Sequence, residues 1–240
     1  MGASMVFNQF WPFIQHCHLC QTEAARPHTV LCEGCHQDLP WRLDTMQLDQ
    51  TDIQVLFDYA WPVDRLLHLF KYQQRLELLP IFRHALQQHS RIDVDAIVAM
   101  PCSAARLRQR GYNQAHLLAQ QLSVLWQIPL WPHLQRVQQH AAQQRLDRAE
   151  RLSNLQDAFA VSASQQPPAR ILLLDDVLTT GASFCSAADC LRRAGAIHIE
   201  GLIIASHHPA TPQFDTAQPV TQASADSTDF SSSDDGRTAN

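Results

Sequence analysis

Between residues 52 and 207 the chain alternates short apolar runs with segments whose apolar residues recur every three or four positions. The first pattern fits strands and the second fits helices. IQVLFDYA (53–60) reads as a strand. In VDRLLHLFKY (63–72), helical spacing puts Leu66, Leu67 and Phe70 on one face. A second helix is expected over 75–88. DAIVAM (95–100) reads as a short buried strand stopped by Pro101. The stretch 113–126 fits a helix whose apolar stripe holds Leu117, Leu118, Leu122 and Leu125. A short strand near Leu130 and another near Phe159 flank an arginine- and glutamine-rich segment. ILLLDD (171–176) is a continuous apolar run ending in two acids. A helix over 183–194 is ended by Gly195, and IHIEGLIIAS (197–206) is the last strand. Strands alternating with helices imply βαβ units and a mostly parallel sheet, hence an α/β fold.

The flanks differ from this middle zone. Residues 1–48 carry four cysteines in two pairs. From Pro209 the chain is rich in Ser, Thr, Asp, Gln and Ala, with Phe214 and Phe230 its only aromatics. So little apolar surface does not offset the entropy of ordering, so a disordered tail is expected over 209–240. Three zones follow: an N-terminal cysteine module (1–48), an α/β domain (49–208) and the tail. No internal repeat is visible.

Composition and charge narrow the function. A 45% hydrophobic content excludes wholesale disorder, and no apolar run is long enough for a membrane span. The N-terminus lacks the basic start and small-residue cleavage site of a secretory signal, so a cytoplasmic location is expected. There, seven cysteines are expected to be metal ligands or plain thiols rather than disulfides. The net charge of −5 argues against nucleic acid only at first sight. The tail holds Asp215, Asp226, Asp229, Asp234 and Asp235 against Arg237. Between Arg106 and Arg151 there are seven arginines against Asp147 and Glu150, a local excess of +5.

The cysteines form Cys17-x2-Cys20 and Cys32-x2-Cys35, separated by eleven residues. Four soft thiolates suit a closed tetrahedral Zn²⁺ site, and Gly34 eases the second tight turn. Four protein ligands leave no open position, so the role is structural, and the metal supplies folding energy that so short a segment lacks. Free or redox-active thiols and an iron–sulfur site are the competing readings. His16, His18, His28 and His36 stand nearby as alternative ligands. Cys185 and Cys190 read as helix packing residues. Cys102 follows a strand, but no His or Asn partner for nucleophilic chemistry can be placed beside it.

The sharpest motif is ILLLDDVLTTGAS (171–183). A buried strand delivers Asp175 and Asp176 at its carboxyl end, where ligands of open α/β sheets sit. The loop that follows offers the hydroxyls of Thr179, Thr180 and Ser183, and Gly181 allows close backbone approach. The helix start then points N–H groups at an anion. Paired carboxylates accept hydrogen bonds from vicinal hydroxyls, so the pattern suits a ribose 5-phosphate. The plainer alternative is a solvated acidic strand end with a capped helix.

This loop resembles the 5-phosphoribosyl-1-pyrophosphate (PRPP) signature of type I phosphoribosyltransferases. Together with YAWPVDRLLHLFKYQQRLELL (59–79), IVAMPCSAARLRQRGYNQ (97–114) and RLDRAERLSNLQDAF (145–159), it resembles the ComF/GntX family of competence-associated proteins. The likeness runs over most of residues 13–206, with the motifs in the expected order. It implies a zinc module ahead of a type I phosphoribosyltransferase-like domain, and a cytoplasmic role in DNA uptake during natural transformation or in use of external DNA. It assigns PRPP binding to Asp175, Asp176, Val177, Leu178, Thr179, Thr180, Gly181, Ala182 and Ser183, with Mg²⁺ bridging the diphosphate and ribose oxygens. Two departures are visible. No further C-x2-C pair follows Trp41, and Ala99-Met100-Pro101-Cys102-Ser103 stands where members often read PVPLH, in the loop that approaches pyrophosphate.

Arg106, Arg108 and Arg110 alternate before Gly111-Tyr112-Asn113-Gln114, while Arg145, Arg148 and Arg151 recur at helical spacing. Both groups read as contacts to pyrophosphate or to a DNA backbone, or else as a solvated face. Lys71 and Tyr72, after an apolar helix, carry the same two readings. Tyr112 is a candidate for stacking on a base. Three functions fit. The first is a DNA-uptake accessory binding a phosphoribosyl ligand and single-stranded DNA, with a competence helicase or DNA-processing protein as partner. The second is an active phosphoribosyltransferase that displaces pyrophosphate from PRPP toward an unknown acceptor. The third is a PRPP sensor without chemistry.

Overall fold

A computed structural model describes residues 16–26, 30–137 and 158–208. Arg145, Arg148 and Arg151, His28 and the tail from residue 209 lie outside these described residues. In chain order the elements are α1 (Glu33–Gln37), β1 (Trp41–Leu48), β2 (Thr51–Asp58), α2 (Val63–Tyr72), a 3₁₀ turn (Leu76–Leu78) and α3 (Leu79–Gln87). Then come β3 (Ala96–Ala99), α4 (Ala104–Arg110), α5 (Gln114–Trp126), β4 (Leu134–Arg136), β5 (Phe159–Val161), β6 (Arg170–Leu178), α6 (Ala182–Arg193) and β7 (His198–Ser206).

Five strands form one sheet in the order β1-β2-β7-β6-β3. β2, β7, β6 and β3 run parallel, and β1 pairs antiparallel with β2 at one edge. The α/β fold with a mostly parallel sheet is therefore the one expected. β6 and β7 sit at the centre. Ile171, Leu172, Leu173 and Leu174 are fully buried, as a strand covered on both faces requires. Gly201 of β7 lies under Phe184 of α6. A Cβ there would come within 2.7 Å of Phe184 Cζ and 2.9 Å of Ile53 Cγ1, so helix and sheet approach each other over a bare backbone. β4 and β5 form a separate antiparallel ribbon.

Several expected elements need adjustment. β1 lies within the first zone expected from sequence, yet it is a strand of the main sheet. A break in register between Trp41 and Asp44 blurs its alternation. The second expected helix is split into a 3₁₀ turn and α3, because Pro80 is tolerated only in a helix's first turn. The stripe of α5 is rotated. Ala115, Leu118, Ala119, Leu122 and Trp126 are buried, while Leu117 and Leu125 flank them half-exposed. Small alanines let α5 sit close to the sheet, so its buried stripe runs through Ala115 and Ala119 as well as the leucines. α4 carries three alternating arginines that hid its helical period. Ser103 caps it, accepting the Arg106 N–H at 3.3 Å, and Gly111 ends it at φ +81°.

Candidate functional site

The parallel strands deliver their carboxyl ends to one edge of the sheet, and a cleft of about 340 Å³ opens there. Tyr59 follows β2, His207 follows β7, Met100 to Cys102 follow β3, and Thr179 to Gly181 follow β6. Backbone geometry alone thus brings four loops together.

One wall is acidic and comes from β6. Asp175 and Asp176 both line the cleft. Asp175 accepts the Asp176 N–H at 2.8 Å, and Lys71, in the last turn of α2, reaches Asp176 Oδ1 at 3.0 Å. Burial, and then the negative charge of Asp176, pushes Asp175 up to about 8. β6 continues further than the sequence suggests. Val177 and Leu178 still pair with β7, so the loop is only Thr179, Thr180 and Gly181. Every residue from Asp175 to Ser183 lines the cleft except Ala182. Gly181 holds φ +76° and precedes α6, whose start has no side-chain cap. The side of Gly181 where a Cβ would project is filled by Leu48, so the missing side chain also serves close packing against β1.

The opposite wall is basic. Arg106 and Arg110 of α4 line the cleft, whereas Arg108 does not and is exposed. Arg110 is 9% exposed. Its guanidinium stacks 4.7 Å from the Tyr72 ring, and Nη1 donates to Gln114 Oε1 at 3.1 Å. Arg110 Nε and Gln114 Nε2 are buried donors with no partner, an arrangement that calls for an acceptor in the cleft. Arg136, on β4, completes this wall, with its guanidinium 5.2 Å from the Phe159 ring. Burial and then the neighbouring Arg106 pull Arg136 down, while Asp175 opposes them. Arg136 had no local signal in the sequence, because only the β4–β5 ribbon brings it to the cleft. Cys102 sits among these arginines, yet burial pushes its thiol up, so it is a neutral thiol rather than a nucleophilic thiolate. Tyr112 does not stack outward. Its hydroxyl donates to the Phe70 carbonyl and its ring packs 5.8 Å from that of Phe70, which makes it a brace between α2 and the turn joining α4 to α5.

At the other end, the sulfurs of Cys17, Cys20, Cys32 and Cys35 all lie within 4.8 Å of one another. The Leu19 N–H points at Cys17 Sγ (3.4 Å), the Cys35 N–H at Cys32 Sγ (3.5 Å) and the Thr22 hydroxyl at Cys20 Sγ (3.1 Å). Such donors favour thiolates, and four thiolates so close together need a cation between them. The set could hold a metal such as zinc. His36 is not needed as a ligand. Its ring packs against Trp41 (5.5 Å) and His84 of α3 (4.8 Å), joining the cluster to the domain. Cys190 is buried and Cys185 half-buried on α6, as packing residues.

No family model matches the sequence. Relatives do. Competence protein F of Haemophilus influenzae is 35% identical, over 61% of this chain and 69% of that protein. DNA utilization protein YhgH of Escherichia coli K12 is 30% identical, over 77% of this chain and 87% of that protein. The chain belongs to the ComF family. Competence protein ComFC of Bacillus subtilis, another member, is 30% identical over 74% of this chain and 73% of that protein. Among solved structures, orotate phosphoribosyltransferase from Aeropyrum pernix matches 71% of this ComF chain and 77% of its own at 16% identity and TM-score 0.35. An adenine phosphoribosyltransferase from Leishmania tarentolae matches 68% of this chain and 94% of its own at 11% identity and TM-score 0.40. Among the described residues no helix is long and apolar enough to cross a membrane.

Proposed function

We propose that this ComF-family chain acts in DNA uptake or utilisation, holding a PRPP-like phosphoribosyl ligand in the cleft and single-stranded DNA along its arginines. One observation carries the reading: a single cleft joins paired acids and a helix start without a side-chain cap on one wall to three arginines on the other, among them Arg110 with a buried, unpartnered Nε. A sugar bearing a phosphate at one end and a diphosphate at the other has the matching polarity. Asp175 and Asp176 take the sugar hydroxyls. The loop from Thr179 to Ser183 takes the 5-phosphate, and Arg106, Arg110 and Arg136 take the diphosphate. Relatives named for competence and DNA utilisation support the biological role. DNA contact falls to the arginines the diphosphate leaves over, exposed Arg108 together with Arg145 and Arg148. The cysteine cluster holds structural Zn²⁺, residues 49–208 together with β1 of their sheet form the ligand-binding domain, and a DNA-processing protein is the partner class. Localisation is cytoplasmic.

Isothermal calorimetry with PRPP tests the ligand, and silence at millimolar concentration contradicts it. Pyrophosphate release with a panel of nucleobases, in the same buffer, separates a transferase from a binding protein. For DNA, affinity for a short oligonucleotide falls on the order of tenfold between about 50 and 200 mM salt when about three phosphates are contacted. A flat salt response counts against backbone contact.

A further inference from the structure

The resemblance of the β6 loop to the PRPP signature implies Mg²⁺ bridging the ligand's diphosphate and ribose oxygens, next to the acid pair that takes the ribose hydroxyls, and these acids are not free to share in holding it. Mg²⁺ demands near-ideal octahedral oxygen ligands at about 2.0–2.1 Å, and beside a phosphorylated ligand it is held by the phosphates, retained waters and one or two carboxylates free to join them. Here Asp176 Oδ1 already holds the Lys71 ammonium at 3.0 Å, and both side chains are largely buried, at 16% and 13% exposure. Asp175 is turned back on the Asp176 N–H. A dication at this pair would sit against a fixed ammonium in a poorly screened site.

We propose that Lys71 supplies the positive charge at the acid pair in place of a divalent metal, so that the phosphoribosyl ligand binds without Mg²⁺. This inference rests on the phosphoribosyl reading and deepens it. The charge balance of the cleft agrees. Lys71 offsets Asp176, and burial keeps Asp175 protonated near neutral pH. Arg106, Arg110 and Arg136 then face a polyanion with no uncompensated carboxylate beside it. A metal-bridged site needs none of this, because the metal itself cancels the acids.

The test is calorimetry of PRPP, as its sodium salt, against the full-length, zinc-loaded protein. The buffer is stripped of divalent cations without a chelator, so the cysteine cluster keeps its metal, and the titration is repeated with millimolar Mg²⁺. Wild type should give affinities within about threefold in the two buffers. Lys71→Gln should lose at least about tenfold in the Mg²⁺-free buffer, the worth of one charge-assisted hydrogen bond, and Lys71→Arg should recover most of it. A second readout needs no variant. Lys71 is the only lysine in the chain, so isotopic lysine labelling yields one side-chain NMR signal, which should move on PRPP addition without Mg²⁺. Tenfold tighter binding of wild type with Mg²⁺ overturns the inference and leaves the phosphoribosyl reading standing. So does unchanged Mg²⁺-free affinity in Lys71→Gln, or an unmoved lysine signal at saturation. No heat in either buffer overturns both.

Discussion

The cysteine cluster and the cleft are built in opposite ways. All four sulfur donors come from residues 17–35, and two turns bring them together, so spacing alone announces the site. The cleft draws on α2, the β3 loop, α4, α5, β4 and β6, spread from residue 59 to residue 207. Only the β6 loop has a contiguous signature. A local site can be read from sequence because chain geometry limits what adjacent residues reach. A site assembled by sheet topology can be read only where one loop carries most of its chemistry.

That contrast can be broken at either end. The largest effect should come from the cluster. Cys17→Ser or Cys32→Ser should remove stoichiometric zinc and lower the thermal midpoint by on the order of 10 °C, since the metal supplies folding energy and His36 ties the cluster to α3. Calorimetry with zinc determination checks this, and an unaltered melt means the cluster is not structural. Next comes the scaffold of the cleft. Gly201→Ala should cost about 1–3 kcal/mol, because its methyl meets Phe184 and Ile53 in a closed core. Urea denaturation measures it, and a neutral result means that α6 can lift from β7.

Two smaller effects sharpen the contrast inside the cleft. Arg110→Met should weaken PRPP binding about tenfold or more, while Arg108→Met, outside the cleft, should leave it unchanged. Equal losses would return all three arginines of α4 to a diffuse basic face. The smallest effect is electrostatic. Asp175 has its folded pKa raised to about 8 from an ordinary 3.8. Between those pH values the folded chain keeps a proton that the unfolded chain releases, so stability falls as pH rises through the window. Asp175→Asn removes that fall. Its melting temperature should match wild type near pH 4 and exceed it by a few degrees at pH 9. A gain that does not grow with pH contradicts a half-buried acid held protonated.

Particular residues show where sequence sufficed. Ile171–Leu174 could only be a doubly covered strand, and Leu66, Leu67 and Phe70 could only share a helix face. The acids at the end of β6 were equally plain. Val177 and Leu178 were harder, because nothing in their identity says whether the strand has ended. α4 was hidden by arginines at alternate positions, which mimic the period of a strand. Tyr112 looked like a stacking platform because its own spacing cannot reveal that Phe70, 42 residues away, takes its hydroxyl. Lys71 meets Asp176 across 105 positions, and Arg136 reaches the cleft only through β4–β5 pairing. Each of these contacts is a product of topology.

The decisive measurement is PRPP affinity of the zinc-loaded protein beside that of a double Asp175→Asn, Asp176→Asn variant whose melt shows it folded. Saturable heat from the parent chain and its loss in the variant is the predicted result. Equal affinity in both would contradict a cleft in which paired acids hold the sugar.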